Sequence, residues 1–220
     1  MTDLRINFKK SGKQEYFYTL RNLGFHNYLK LFSNYMFSSN NYYILKRKLS
    51  YMPSKVPKDI APDAMVLLGD NDMETLKKQA RLLEPDDRRE LLSRILFYQS
   101  GFKNCYIIKI KNEIAYLQWL IYPSENRIIK QSYRRKFYLL GDKQVMIENA
   151  FTFPKYRRLG FLPFGTSQLV NKAAAQGYKS AICYVREERI IMLNEFSRMG
   201  FKITKMMKEY KMTGYVWRNL

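Results

Sequence analysis

The chain has 220 residues, and its 39 Lys+Arg against 19 Asp+Glu give a formal charge of +20. A composition 46% hydrophobic and 15% aromatic excludes a disordered basic tail and fits one large domain, or one domain with an added segment. No run approaches the ~20 apolar residues that a membrane-spanning helix needs, and the start MTDLRINFKK lacks the apolar centre of a secretory signal, so the sequence reads as cytoplasmic.

Residues 1–60 differ from the rest. Residues 16–41 are rich in Tyr, Phe and Asn, with Leu20, Leu23, Leu31, Phe32 and Tyr35 spaced as on a helix face. Residues 40–49 read as a short strand. Pro53, Pro57 and Pro62 then mark an irregular crossing, because proline removes donors and breaks periodicity. A soft boundary falls there, which divides the chain into an aromatic, basic extension (1–60) packed on a main domain (61–220). Contact of the extension with a membrane or a partner is the other reading.

In the main domain, residues 65–68 suggest a short buried strand. Helices are expected from Asp72 to about Arg81 and from Glu84-Pro85 to about Tyr98, the second with Leu91, Leu92, Ile95 and Leu96 on one apolar face. Residues 104–110 and 114–122 read as strands of an antiparallel hairpin, and residues 144–153 as a longer strand stopped by Pro154. A basic, glycine-containing turn leads into a helix that Gly177 ends. A strand at 180–185, a helix at 187–199 and a final pair of strands to Trp217 complete a mixed α/β fold with a largely antiparallel sheet flanked by helices.

The single histidine, His26, and the cysteines, Cys105 and Cys183, cannot form a zinc site, so no metal is expected. Both cysteines sit in strand-like runs and read as buried thiols. The charge favours anionic partners without choosing among nucleic acid, acidic membrane, acidic carrier protein and phosphorylated ligands.

The informative turn is Phe153-Pro154-Lys155-Tyr156-Arg157-Arg158-Leu159-Gly160-Phe161-Leu162. Proline ends the strand, and Pro163 sits where a first helical turn tolerates it. The turn thus presents backbone N–H groups at a helix N-terminus, where the aligned peptide dipoles favour a phosphate. Arg157 and Arg158 add forked donors suited to phosphate oxygens.

This stretch resembles the acyl-CoA pyrophosphate loop of the GCN5-related N-acetyltransferases, Q/R-x-x-G-x-G/A. Arg157 and Gly160 match it, and Leu162 replaces the last small residue. Phe196-Ser197-Arg198-Met199-Gly200-Phe201 is similar to the family's Y-x-K-x-G-F helix ending, and the intervening elements follow the family's order. The resemblance covers residues 64–217 or so. It implies an acyl-CoA donor, acetyl-CoA most simply. Its pantetheine arm would pair with the backbone of Ala150, Phe151 and Thr152, and its pyrophosphate would lie on Arg157, Arg158, Leu159, Gly160, Phe161 and Leu162. Two positions depart from the family: Phe196 stands where a tyrosine acid is frequent, and Arg189 where a polar residue, often asparagine, is found.

Glu148 lies inside the apolar run VMIENAF, four residues before Thr152 and so, by strand alternation, on the same face. A carboxylate there is costly unless paired or used. It reads either as a general base or as the partner of an arginine. Tyr184, Tyr122 and Tyr133 are candidate acids.

The expected function is acyl transfer to an amine, with an amino sugar, a small amine or a protein amino group as acceptor. A donor presented by acyl carrier protein is an alternative that the +20 charge suits, as in acyl-homoserine lactone synthases and acyl-amino-acid synthases. A non-catalytic nucleic-acid-binding module, using the basic aromatic stretches LKRKLSY and QSYRRKFY, is another.

Overall fold

The computed structural model describes residues 37–53, 56–57, 65–212 and 215–219. His26 and most of the aromatic stretch at 16–41 therefore lie outside the described residues.

A single eight-stranded sheet organises the chain. In chain order its strands are β1 (Phe37–Lys48), β2 (Val66–Leu67), β3 (Cys105–Ile110), β4 (Glu113–Ile121), β5 (Gln144–Thr152), β6 (Ser180–Arg186), β7 (Lys202–Met212) and β8 (Tyr215–Arg218). Their spatial order is β2-β3-β4-β5-β6-β1-β7-β8. Only β5 and β6 run parallel. Among the described residues four longer helices, α1 (Asp70–Arg81), α2 (Pro85–Gln99), α3 (Phe161–Ala175) and α4 (Ile190–Arg198), flank the sheet. This is the mixed α/β, mostly antiparallel architecture expected from the order of elements.

Local chemistry explains several boundaries. The β3–β4 hairpin turns on Lys111 and Asn112, both at positive φ (48° and 67°), the conformation that matches the twist of two-residue hairpins. Helix α2 starts with Pro85, where a missing N–H removes nothing. Gly177 at φ 82° follows the end of α3, and Gly200 at φ 80° follows α4.

One hydrophobic cluster joins α1 and α2 to the sheet through Leu76, Leu91, Ile95, Phe97, Ile107 and Trp119, and extends to Tyr116 and Phe161 at the start of α3. A second lies under the remainder of α3 and α4, with Leu120, Ile147, Leu169, Val170, Cys183 and Phe196. Both cysteines are buried and free, and burial pushes both thiols up.

The structure corrects four expectations. First, the short strand expected at residues 40–49 is longer, Phe37–Lys48, and is an interior strand of the sheet, paired with β6 over Tyr42–Lys48 and with β7 over Phe37–Lys46. The cause is two-sided burial: Tyr42 and Ile44 join the first cluster, while Tyr43 and Leu45 face the second. Arg47 adds a helix cap, donating to the Met199 carbonyl at the end of α4. Second, Val66 and Leu67 are exposed, and only Leu68 beside them is buried. Third, the buried face of α2 is Leu91, Ile95 and Phe97; Leu92 and Leu96 are exposed, because the sheet meets the helix one step further round. Fourth, residues 123–133 wind into short helical turns that the sequence did not announce.

Candidate functional site

The site begins where β5 and β6 part. They pair only from Gln144 to Met146 with Ser180 to Ile182, and diverge beyond. On its other edge β5 carries a bulge: Glu148 faces Trp119 and Phe151 faces Leu117, so Asn149 and Ala150 together oppose Gln118. Asn149 takes φ 57° to make it. The extra residue reverses the parity of the strand. Glu148 is therefore on the Trp119 side, toward α2, while Thr152 pairs with Tyr116 on the α3 side. The expectation that Glu148 and Thr152 share a face fails for that reason.

Glu148 stands at the fork. Its Oε1 accepts a hydrogen bond from the Tyr184 N–H across the gap, at 2.5 Å. Burial of the carboxyl pushes its pKa up to about 7, against the pull of the Tyr184 and Asn149 amides and of the Arg218 and Arg94 charges. The Arg218 and Arg94 charges act on Glu148 without an ion pair to either, and burial holds the carboxyl near neutrality. Tyr184 lies beside it, nearly buried, with its hydroxyl oxygen accepting from the Tyr138 N–H at 3.0 Å. Burial raises the phenol well above its ordinary value, so it stays protonated.

The other two tyrosines are elsewhere. Tyr122 packs beside Tyr178 under α3, on the opposite face. Tyr133 packs among Phe97, Phe102 and Phe137 and meets Ser100 Oγ at 3.0 Å.

Two arginines hold the open edge of β5. Arg94, from α2, donates through Nε to the Asn149 carbonyl and through Nη2 to the Ala150 carbonyl, both at 3.2 Å. Its charge is met by Glu90 at 2.8 Å, and its guanidinium lies 5.5 Å over the Phe151 ring. Glu90 also receives Arg189, at 3.6 Å. Arg157 donates to the Thr152 carbonyl at 3.3 Å and pairs with Asp87. Ala150 and Thr152 are half-buried, and Phe151 is a core ring set edge-on to Phe153.

The expected phosphate loop forms as a turn that ends in a helix. Arg158 (φ 66°) and Gly160 (φ 91°) both adopt the left-handed conformation, and Gly160 is the N-cap of α3. Among the described residues no side chain caps this helix, and its first turn holds no acidic residue. Its opening N–H groups have no acceptor within the helix, and its dipole places partial positive charge there. Arg158 is exposed, Leu159 and Leu162 are half-buried against the core, and Phe161 is buried against Tyr116 and Tyr156. Leu162 therefore turns inward, and the loop offers backbone. Pro57 covers part of it, with its Cα 4.0 Å from where a Cβ on Gly160 would stand. Phe196 is a core residue set edge-on to Phe201, 5.1 Å between ring centroids.

The sequence reading missed Arg94 and Arg218. Arg94 lies three residues after Leu91, on the buried side of α2; a guanidinium on that side was the available signal. Arg218 belongs to a strand whose partners only the sheet order reveals. Among the described residues no group of His, Cys, Asp and Glu is placed to hold a metal, and no helix is long and apolar enough to cross a membrane.

No protein-family profile and no curated protein sequence matches the chain. Solved structures do. The glucosamine N-acetyltransferase region of a fungal multi-domain β-N-acetylglucosaminidase superposes with a TM-score of 0.56 at 13% identity, over 88% of this chain and 22% of that one. A GCN5-related acetyltransferase from Colwellia psychrerythraea gives 0.52 at 13% identity, over 80% of this chain and 57% of that one. Another, from Sphaerobacter thermophilus, gives 0.52 at 12% identity, over 85% and 56%. The protein has the fold of the GCN5-related N-acetyltransferases. It spans little more than half the length of the two bacterial structures and about a fifth of the fungal one.

Proposed function

We propose that the protein is an acyl-CoA-dependent N-acyltransferase, most simply an N-acetyltransferase, with an amine as acceptor. The observation that carries this reading is Glu148: a carboxyl with a pKa of about 7 at the fork of β5 and β6, on the strand that leads directly to an uncapped helix N-terminus. A general base works best when its pKa lies near the working pH.

In this reading the pyrophosphate of acyl-CoA lies on the amides that follow Gly160, and the pantetheine arm runs along the open edge at Ala150, Phe151 and Thr152. The arm displaces Arg157 from the Thr152 carbonyl, an exchange that a side chain 45% exposed makes easily. Arg157 and Arg158 then turn to the phosphates. Glu148, directly or through one water, takes a proton from the acceptor ammonium. The amine attacks the thioester carbonyl, the C–N bond forms, and the C–S bond breaks. The leaving thiolate takes a proton from the Tyr184 hydroxyl, which replaces the absent tyrosine at Phe196, and the second proton shed by the nitrogen as the amide forms returns to Tyr184 through water. No metal enters these steps.

The neighbour that acetylates glucosamine supports an amino sugar or another small amine as acceptor. The test is acyl transfer from acetyl-CoA, and from a long-chain acyl-CoA, to a panel of amino sugars and small amines, followed across pH. Transfer that falls below about pH 7 and is lost in Glu148→Gln supports the reading. Transfer unchanged by that substitution refutes Glu148 as the base.

A further inference from the structure

A second concentration of positive charge lies away from the phosphate loop. Lys130, Arg134, Arg135 and Lys136, with Gln131 and Val216, line a cavity of about 450 Å³ whose lining includes no carboxylate. The backbone of two of these cations, Arg135 and Lys136, is tied to β8. The Arg218 N–H donates to the Arg135 carbonyl at 2.8 Å, and Arg218 Nη1 to the Lys136 carbonyl at 2.8 Å. Residues 135–136 are thereby stitched to the outer edge of β8. Just before them, residues 129–133 form a π-type turn, a wide helical form frequent at functional sites.

The carboxylate that acts on Lys136, Glu209, is already committed. Glu209 is buried, paired with Arg218 at 3.0 Å and with Lys211 at 3.7 Å. The Arg218 guanidinium is enclosed by aromatic rings, 3.9 Å over Tyr42, 5.3 Å over Tyr184 and 5.7 Å over Phe137. The Lys136 ammonium lies 5.6 Å over the Tyr133 ring. Burial chiefly, then the Arg218 and Lys211 charges, hold its pKa below the ordinary lysine value, and Glu209 offsets this only in part.

We propose that this cavity binds the phosphate or pyrophosphate of a small phosphorylated ligand. Four cations around one hollow, two of them forked guanidinium groups, match a multiply charged phosphoryl group better than a single carboxylate. The volume is that of a small-molecule site. Among the described residues no aromatic side chain lines it, whereas single-stranded nucleic acid is held by stacking on such rings. Val216 pairs with Lys211, two residues along from the Glu209–Arg218 pair, so the cavity opens on the face of the sheet that carries Tyr184 and Glu148. The assignment does not depend on acyl transfer. If both readings hold, the phosphorylated ligand sits on the side from which an acceptor reaches Glu148.

Calorimetric titration with inorganic pyrophosphate tests it, on the unaltered protein, on Arg134→Glu/Arg135→Glu and on the loop variant Arg158→Glu. Arg134 and Arg135 are exposed, so the double variant keeps its fold, and an unchanged unfolding midpoint verifies this. The expected result is a binding event retained in Arg158→Glu and weakened at least about tenfold in the double variant, as loss of charge-assisted contacts requires. Lys136→Met should weaken the same event. Pyrophosphate binding unchanged in both cavity variants overturns the proposal. So does a single-stranded oligonucleotide that binds far tighter than pyrophosphate with a salt slope of many phosphates, which would make the surface a nucleic-acid site instead.

Discussion

The middle of β5 and the turn at its C-terminal end reach their chemistry by different routes. At its C-terminal end the candidate anion site is one contiguous stretch, Phe153 to Leu162, whose functional groups are backbone amides set by a glycine at φ 91° and an uncapped helix. At its middle, Glu148 acquires its properties from Tyr184 on β6, Arg94 on α2 and Arg218 on β8. The turn depends on local conformation and tolerates side-chain change, as Leu162 illustrates by turning into the core. The middle is a charge balance assembled across the sheet. Substitutions at the two places should therefore fail in different ways.

The largest effect is expected at Glu148. Glu148→Gln should lower acyl transfer by about 10²–10⁴-fold, the range for loss of a general base. The same change should stabilise the protein at pH 8. The folded pKa of about 7 lies above the ordinary carboxylate value of 4.5, so the native state holds a proton that the unfolded chain releases, and stability declines as pH rises from about 4.5 to about 7. Removing the carboxylate should recover about 3 kcal/mol at most at pH 8 and nothing below about pH 4.5, measured by denaturant unfolding at both pH values.

Gly165→Val tests the seat of the loop's helix. A Cβ at Gly165 would stand 2.3 Å from the Tyr116 ring, so α3 must lift from β4. A loss of about 1–3 kcal/mol or more in unfolding free energy is expected, with acyl-CoA affinity falling in parallel.

Arg218→Met/Glu209→Gln removes a buried ion pair as a unit, which avoids stranding one charge. The Arg218 cation holds the Glu148 pKa down, so the acidic limb of the transfer rate should move to higher pH in the double variant. A limb that stays in place would show that Arg218 does not act on the base. The smallest effect is expected for Arg158→Ala: acyl-CoA affinity reduced severalfold, on the order of 1 kcal/mol, with no change in the pH profile.

This contrast also separates what could be read from sequence. The turn into α3, the β3–β4 hairpin and the glycine after α3 depend on residues adjacent in the chain, and each lies where its glycine, proline or turn residues indicate. The fold class follows from the order of such elements. The slot of β1 does not, because Tyr42, Ile44 and Leu45 form a strand in any register and only the edges of β6 and β7 select the place. The bulge at Asn149 carries no glycine to mark it, and it alone reverses the relation between Glu148 and Thr152. Leu92 and Leu96 illustrate the same limit: an apolar face is periodic, but which side of it meets the sheet is a tertiary fact.

The central claim is that acyl-CoA binds across the fork of β5 and β6 with its pyrophosphate on the turn at Gly160. Thermal unfolding with and without saturating acetyl-CoA tests it most directly, in the unaltered protein and in Gly160→Val, whose β-branched side chain cannot hold φ 91° without strain. A ligand at a hundred times its dissociation constant adds about 2.7 kcal/mol, enough to move the midpoint by several degrees. The account predicts that shift in the unaltered protein and its loss in the variant. No shift with any acyl-CoA, or an equal shift in both proteins, would contradict it.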